Sequence, residues 1–79
     1  MLETNQGYEI IKAETWMEAD GRSERVVLGR METRLGTQYV TWESSTDDRG
    51  NTDYYWGHYF YDEQKAKGDY YTRLASKFE

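Results

Sequence analysis

The stretch from Asp53 to Tyr61, Asp-Tyr-Tyr-Trp-Gly-His-Tyr-Phe-Tyr, constrains the fold more than any other part of the chain. Six of its nine residues are aromatic. Aromatic side chains fit a pleated, half-buried surface, so the stretch reads as a β-strand. Strict alternation divides it into Tyr54, Trp56, His58 and Phe60 on one face and Tyr55, Gly57, Tyr59 and Tyr61 on the other. A strand with rings on both faces needs cover on both. In a chain of 79 residues the economical arrangement is a helix over one face and a partner, or partial wetting, over the other.

The remaining elements follow from pattern and punctuation. Residues 1–6 are polar and expected to fray. Tyr8 to Met17 and Arg22 to Arg30 read as two strands joined at Asp20-Gly21, a two-residue turn signal. With those two residues as the turn, Ala13 faces Leu28, Thr15 faces Val26 and Trp16 faces Arg25. Ile11, Ala13, Met17, Val26 and Leu28 then share a core face, and Trp16 stacks on Arg25 outside it. Thr37 to Ser44 is a third strand, with Val40 and Trp42 on one face and Tyr39, Thr41 and Glu43 on the other. Ser45 to Thr52 is a polar loop. Gly57 leaves room for a neighbouring ring or a close backbone approach, or marks a bulge.

After the aromatic strand, Asp62 is placed to cap a helix, with Glu63 in its first turn and Lys77 near its end. Ala66, Tyr70, Leu74 and Phe78 recur every four residues, with Tyr71 and Ala75 beside them, an apolar stripe of helical period. Gly68 lies off that stripe. Short connections make consecutive strands antiparallel neighbours. The expected fold is therefore α+β: a four-stranded antiparallel meander with one C-terminal helix packed on one face, ββββα, as a single small domain over residues 1–79.

Residue inventory narrows the chemistry. The chain has no cysteine and one histidine, which excludes disulfides and thiolate metal sites and leaves too little for a histidine zinc site. His58 sits among rings and reads as a packed or hydrogen-bonding residue rather than a general base. There is no nucleophile–base spacing and no glycine-rich phosphate loop. The loop from Asp47 to Asp53 fails the calcium-loop pattern, because Arg49 stands where an oxygen is needed and no glutamate closes it. We expect no enzyme activity, no cofactor and no metal. No signal peptide and no membrane span are legible, and the lack of cysteine fits a reducing cytoplasm.

The net charge of −5 argues against direct binding to nucleic acid or anionic lipid and favours a basic protein partner. A charge of about 2–8 also simply keeps a small domain in solution. Glu43, Asp47, Asp48 and Asp53 cluster around one loop. Carboxylates two residues apart on a strand are separated by about 7 Å, near the spacing of successive phosphates. Tyr39, Tyr55 and Tyr59 beside them offer faces for guanidinium groups. These seven are the candidate partner-binding residues. The same acids also serve to solvate turns and blunt edge strands.

Four segments carry a family resemblance: Val26-Val27-Leu28-Gly29, Tyr39-Val40-Thr41-Trp42, the run from Tyr54 to Phe60, and a helix with Ala66, Asp69, Tyr70 and Arg73. Over residues 26 to 74 the chain resembles a group of small proteins carried by phages and conjugative elements of Gram-positive bacteria. Small acidic proteins of such elements include anti-CRISPR inhibitors of the type II RNA-guided nuclease, to which this chain is similar in size, charge and lack of catalytic residue types. The resemblance implies a non-enzymatic inhibitor that competes with DNA for the arginines reading the duplex beside the target. It carries over no site residue. The alternative, from the residues alone, is a self-associating accessory module that dimerises through its aromatic face.

Overall fold

The computed structural model describes residues 3–77 as a five-stranded antiparallel sheet with one helix across it. The strands are β1 (Thr4–Asn5), β2 (Tyr8–Met17), β3 (Ser23–Thr33), β4 (Gly36–Thr46) and β5 (Thr52–Phe60), followed by α1 (Glu63–Lys77). They lie in chain order, β1-β2-β3-β4-β5. The meander and its helix are as expected, but the sheet has five strands rather than four.

The extra strand comes from residues expected to fray. Thr4 pairs with Glu9 and Asn5 with Tyr8. Gln6 and Gly7 between them both have positive φ, 53° and 86°, the backbone that a two-residue hairpin turn requires. Ile10 N–H donates to the Glu3 carbonyl at 2.9 Å. Met1 and Leu2 lie outside the described residues.

The first long hairpin forms one residue out of the expected register. Met17 faces Ser23, Trp16 faces Glu24 and Thr15 faces Arg25. The loop is longer than two residues: Glu18 N–H donates to the Arg22 carbonyl at 2.8 Å and Gly21 N–H to the Glu18 carbonyl at 3.0 Å. The Asp20 carboxylate holds the loop by accepting from Arg22 N–H at 3.1 Å and Arg22 Nε at 2.8 Å. A slip of one residue sends every side chain to the other face. Trp16 therefore packs toward the helix, and Arg25 points to the opposite side, over Tyr54 rather than Trp16. Ile11 sits at a bulge and is 39% exposed, and Met17 is 65% exposed. Neither they nor Ala13 join the core expected of them, whereas Val26 and Leu28 are fully buried.

The helix forms for the expected local reasons. Asp62 Oδ1 accepts from Gln64 N–H at 2.9 Å and Lys65 N–H at 3.1 Å, satisfying two of the first-turn donors. Ala66 and Tyr70 are buried against Val26, Leu28 and Tyr39, with Trp16, Phe60 and Leu74 packed around them. Each fully buried aliphatic or aromatic side chain here contributes about 1.5–3 kcal/mol. Phe78 lies outside the described residues. Tyr71 and Ala75, expected beside the stripe, are exposed, and Arg73 is buried in their place.

Among the described residues no helix covers the opposite face, which makes its own cover. Trp42 is buried with Tyr8, Val27 and Val40. Tyr8 and Tyr54 meet its ring edge-on at centroid distances of 5.5 and 5.6 Å, and Tyr59 at 6.4 Å. Arg25 forks onto Glu3, at 2.8 and 2.7 Å, while lying over the Tyr54 ring. That clamp fastens the N-terminal segment across this face.

Candidate partner-binding site

The aromatic strand does not alternate as its sequence suggests. Phe60 pairs with Tyr39, His58 with Thr41, and then Tyr55, not Trp56, with Glu43. Two residues of β5, Trp56 and Gly57, stand against the single residue Trp42 of β4. This is a bulge, and Trp56 takes its left-handed position at φ 56°. Tyr55, His58 and Phe60 share the helix side, and Tyr54 and Tyr59 the other. The expected grouping of Tyr54, Trp56, His58 and Phe60 fails because the bulge resets the period midway.

Two buried groups hold the bulge, one from each face. On the ring side Gly57 lies on Trp42, and a Cβ there would come within 2.8 Å of Trp42 Nε1. No larger residue fits without moving the tryptophan. On the helix side Arg73 Nη2 donates to the Trp56 carbonyl. Arg73 is 8% exposed. Its Nε donates to Thr41 Oγ1 at 3.1 Å and Asp69 Oδ2 at 3.2 Å, and its Nη1 to Glu43 Oε2 at 3.0 Å. The Thr41 hydroxyl also donates to Asp69 Oδ2, and His58 Nδ1 lies 3.0 Å from the same oxygen. Burial pushes the Asp69 carboxyl up, but the hydrogen bonds from Thr41, His58 and Arg73 outweigh it and hold the group below the usual range. His58 is a hydrogen-bonding residue here.

Beside the bulge is a cleft of about 270 Å3. Trp16, Tyr55 and Trp56 form its aromatic walls, Glu18, Glu24 and Glu43 its acids, and Arg25 and Lys77 complete the lining. Trp16 Nε1–H donates to Glu18 at 3.1 Å and the Tyr55 hydroxyl to Glu24 at 3.4 Å. The Lys77 ammonium lies 2.6 Å from Glu43 Oε1. Burial raises the Tyr55 pKa, with Glu24 and Glu43 adding to it.

The seven residues singled out from sequence divide. Glu43 and Tyr55 face each other across β4 and β5 and both line the cleft. Glu43 is not a free charge, since Arg73 and Lys77 both pair with it. Asp47 is a turn residue: it accepts from Arg49 N–H and Asn51 N–H at 2.9 Å, and the Asn51 bonds lead in lowering its pKa. Asp48 and Asp53 are exposed and make no ion pair among the described residues. Tyr39 is buried in the helix-side core and offers no face to a partner. Tyr59 is half-exposed on the opposite side of the sheet, away from the acids.

The meander brings two loops distant in the chain to one end of the sheet. Ser23 pairs with Thr46 and Thr46 with Thr52, so the β2–β3 and β4–β5 loops lie at the same end of the sheet. Glu18, Asp20 and Glu24 of the first hairpin thus stand beside Asp47, Asp48 and Asp53 of the second. Arg22 offsets part of this charge by pairing with Asp20 and Glu24.

Arg73 and Trp56 were missed from sequence. Arg73 could have been found from its position four residues after Asp69, one turn along the helix, and Trp56 from the glycine that follows it.

No family model matches the chain, and neither a curated protein sequence nor a solved structure matches it. The geometry of the acidic end and its cleft therefore carries the functional reading.

Proposed function

We propose that this chain is a non-enzymatic interaction domain that grips a basic protein through the loop end of its sheet. One observation carries the reading: two hairpin loops bring their carboxylates to the same end, beside a cleft with tryptophan and tyrosine walls. Tryptophan, tyrosine and arginine dominate binding hot spots, and a surrounding field of one sign steers the opposite charge toward them. Within that class, the net charge of −5 and the resemblance to small proteins of mobile elements favour a nucleic-acid-handling nuclease, acting in the cytoplasm of a bacterial host, as the partner. The domain then competes with DNA for the partner's basic groove. The ion pairs at Glu24 and Glu43 weigh against a broad phosphate-like surface. They favour a compact contact at Asp48, Asp53 and the cleft.

The test is binding to a type II RNA-guided nuclease, with and without its guide, followed across a salt series together with DNA cleavage. The expected result is binding that weakens as salt rises and that Asp48→Lys with Asp53→Lys abolishes. Binding indifferent to salt, or none at low salt, overturns the reading. Self-association has its own supporting observation. The outer edge of β5 is unpaired within the described sheet, and Tyr59 and Tyr61 are half-exposed beside it. A dimeric mass in solution that Tyr59→Ser reduces to a monomer favours that alternative.

A further inference from the structure

Tyr55 and Trp56 are consecutive, and consecutive strand residues ordinarily point to opposite faces. Here both line the same cleft. Their rings meet at a centroid distance of 4.9 Å and an angle of 88°, as two walls of a corner. The bulge makes this arrangement, at a cost of about 1–2 kcal/mol for a bulky residue in the left-handed region. Strain of this kind persists only where its surroundings over-determine it, and it concentrates at ligand contacts. Arg73 and Trp42 supply that constraint from the two faces. What the strain produces is an indole that is 67% exposed, held beside carboxylates. A perpendicular pair of rings with acids around it is the chemistry that receives a cation.

Cations of the chain itself already stand on the cleft's carboxylates: Arg22 on Glu24, and Arg73 and Lys77 on Glu43. Arg73 is buried, and Lys77 is the one at the end of the helix. It places its ammonium on Glu43 while its side chain stays about a third exposed. At about 270 Å3 the cleft has room for one long side chain.

Building on the interaction-domain reading above, we propose that the cleft is a socket for a single arginine side chain of the basic partner, and that Lys77 is its resident competitor. The planar guanidinium stacks on Trp56 and turns its N–H donors to Glu43 Oε1 as Lys77 moves out to solvent, while Glu24 stays paired with Arg22. Arginine fits better than lysine because it is flat, more weakly hydrated and able to engage a carboxylate with two donors at once.

The experiment follows the Trp56 indole N–H by two-dimensional NMR during titration with the blocked peptide Gly-Gly-Arg-Gly-Gly. The lysine peptide and the uncharged isosteric citrulline peptide serve as comparisons. The arginine peptide should give a saturable shift, the lysine peptide a weaker one and the citrulline peptide none. Lys77→Met should tighten arginine binding about two- to fivefold, the worth of one partly exposed ion pair. Trp56→Ala and Trp56→Gly should both weaken it about tenfold. Of the two, the glycine variant should unfold at the higher temperature, because it removes the ring and relieves the strain together. Equal shifts from arginine and citrulline peptides, or unchanged or weaker binding in Lys77→Met, overturn the socket. A polyarginine chain that binds but shifts only residues 47–53 also removes the socket, while leaving the acidic-end reading standing. If polyarginine does not bind at all, both fall.

Discussion

The helix side of the sheet and the side opposite bury similar strand residues, Val26 and Leu28 on one, Val27 and Val40 on the other. They are sealed by different means. The helix side is closed by a separate element whose buried stripe includes an arginine, so it must satisfy charge as well as fill volume. Arg73 meets that demand with Thr41, Asp69, Glu43 and the Trp56 carbonyl. The other side is closed by its own rings, with Tyr8, Tyr54 and Tyr59 standing around Trp42. Its demand is steric. Gly29 and Gly57 have no side chain because the tryptophan and its neighbours occupy that space. The two solutions meet at Trp56-Gly57, where one bulge is fixed electrostatically from one face and sterically from the other. The cleft at the loop end therefore depends on both cores.

The largest effect should come from breaking the electrostatic side. Arg73→Ala strands the Trp56 carbonyl, leaves Glu43 with Lys77 alone, and leaves Asp69 with Thr41 and His58. Removing one partner of a buried pair costs about 3–5 kcal/mol. The lower end applies here, because Asp69 retains some water. Urea unfolding should show a loss of about 3 kcal/mol, and Arg73→Lys should recover only part of it, since an ammonium cannot reach all four acceptors. A loss below about 1 kcal/mol, the range of an exposed pair, would mean the network does not hold the bulge.

The steric side should break next. Gly57→Ala forces a methyl against Trp42 and should cost about 1–3 kcal/mol, the range for overpacked sites. Gly68→Ala is the matched control. Its missing side chain faces open space in a helix, so alanine there should stabilise by up to about 1 kcal/mol. Opposite signs for the two substitutions confirm that packing, not glycine content, governs β5. The same sign for both refutes it.

The smallest effect compares the two cores through one tyrosine of each. Burial pushes the Tyr70 hydroxyl up to about 12, with Glu14 adding to it. Burial also raises Tyr8, assisted by Tyr59 and Tyr61. A group whose folded pKa lies above its unfolded value of about 10 contributes stability below that value and loses it as pH rises through the folded pKa. Both faces should therefore weaken above pH 10, with nothing visible at neutral pH. Tyr70→Phe should flatten the alkaline limb of the stability curve more than Tyr8→Phe does. The reverse order would place the more strongly buried phenol on the ring side.

What the chain determined by itself was local. Alternation set the faces of β4, with Val40 and Trp42 on one and Tyr39, Thr41 and Glu43 on the other. Short loops fixed the antiparallel meander, and Asp62 with a four-residue apolar repeat fixed where the helix begins and which face it buries. Each of these rests on interactions within a few residues, which a sequence states directly. The tertiary structure decided whatever needed a partner strand. The first hairpin slipped by one residue because Asp20 and Arg22 closed a longer loop than Asp20-Gly21 implied, and that slip moved Trp16 to the helix side. The period of β5 broke at Trp56 because Trp42, a residue of the neighbouring strand, claimed the space over Gly57. Arg73 went inside because acceptors from β4 and β5 converged on it. Of the seven residues chosen for partner binding, Tyr39 went to the core and Tyr59 to the far face. Strand pairing placed Glu43 and Tyr55 together, and it brought the acids of two distant loops to the same end. Contacts between segments far apart in the chain select one register from several that local preference allows nearly equally, and here those contacts built the cleft.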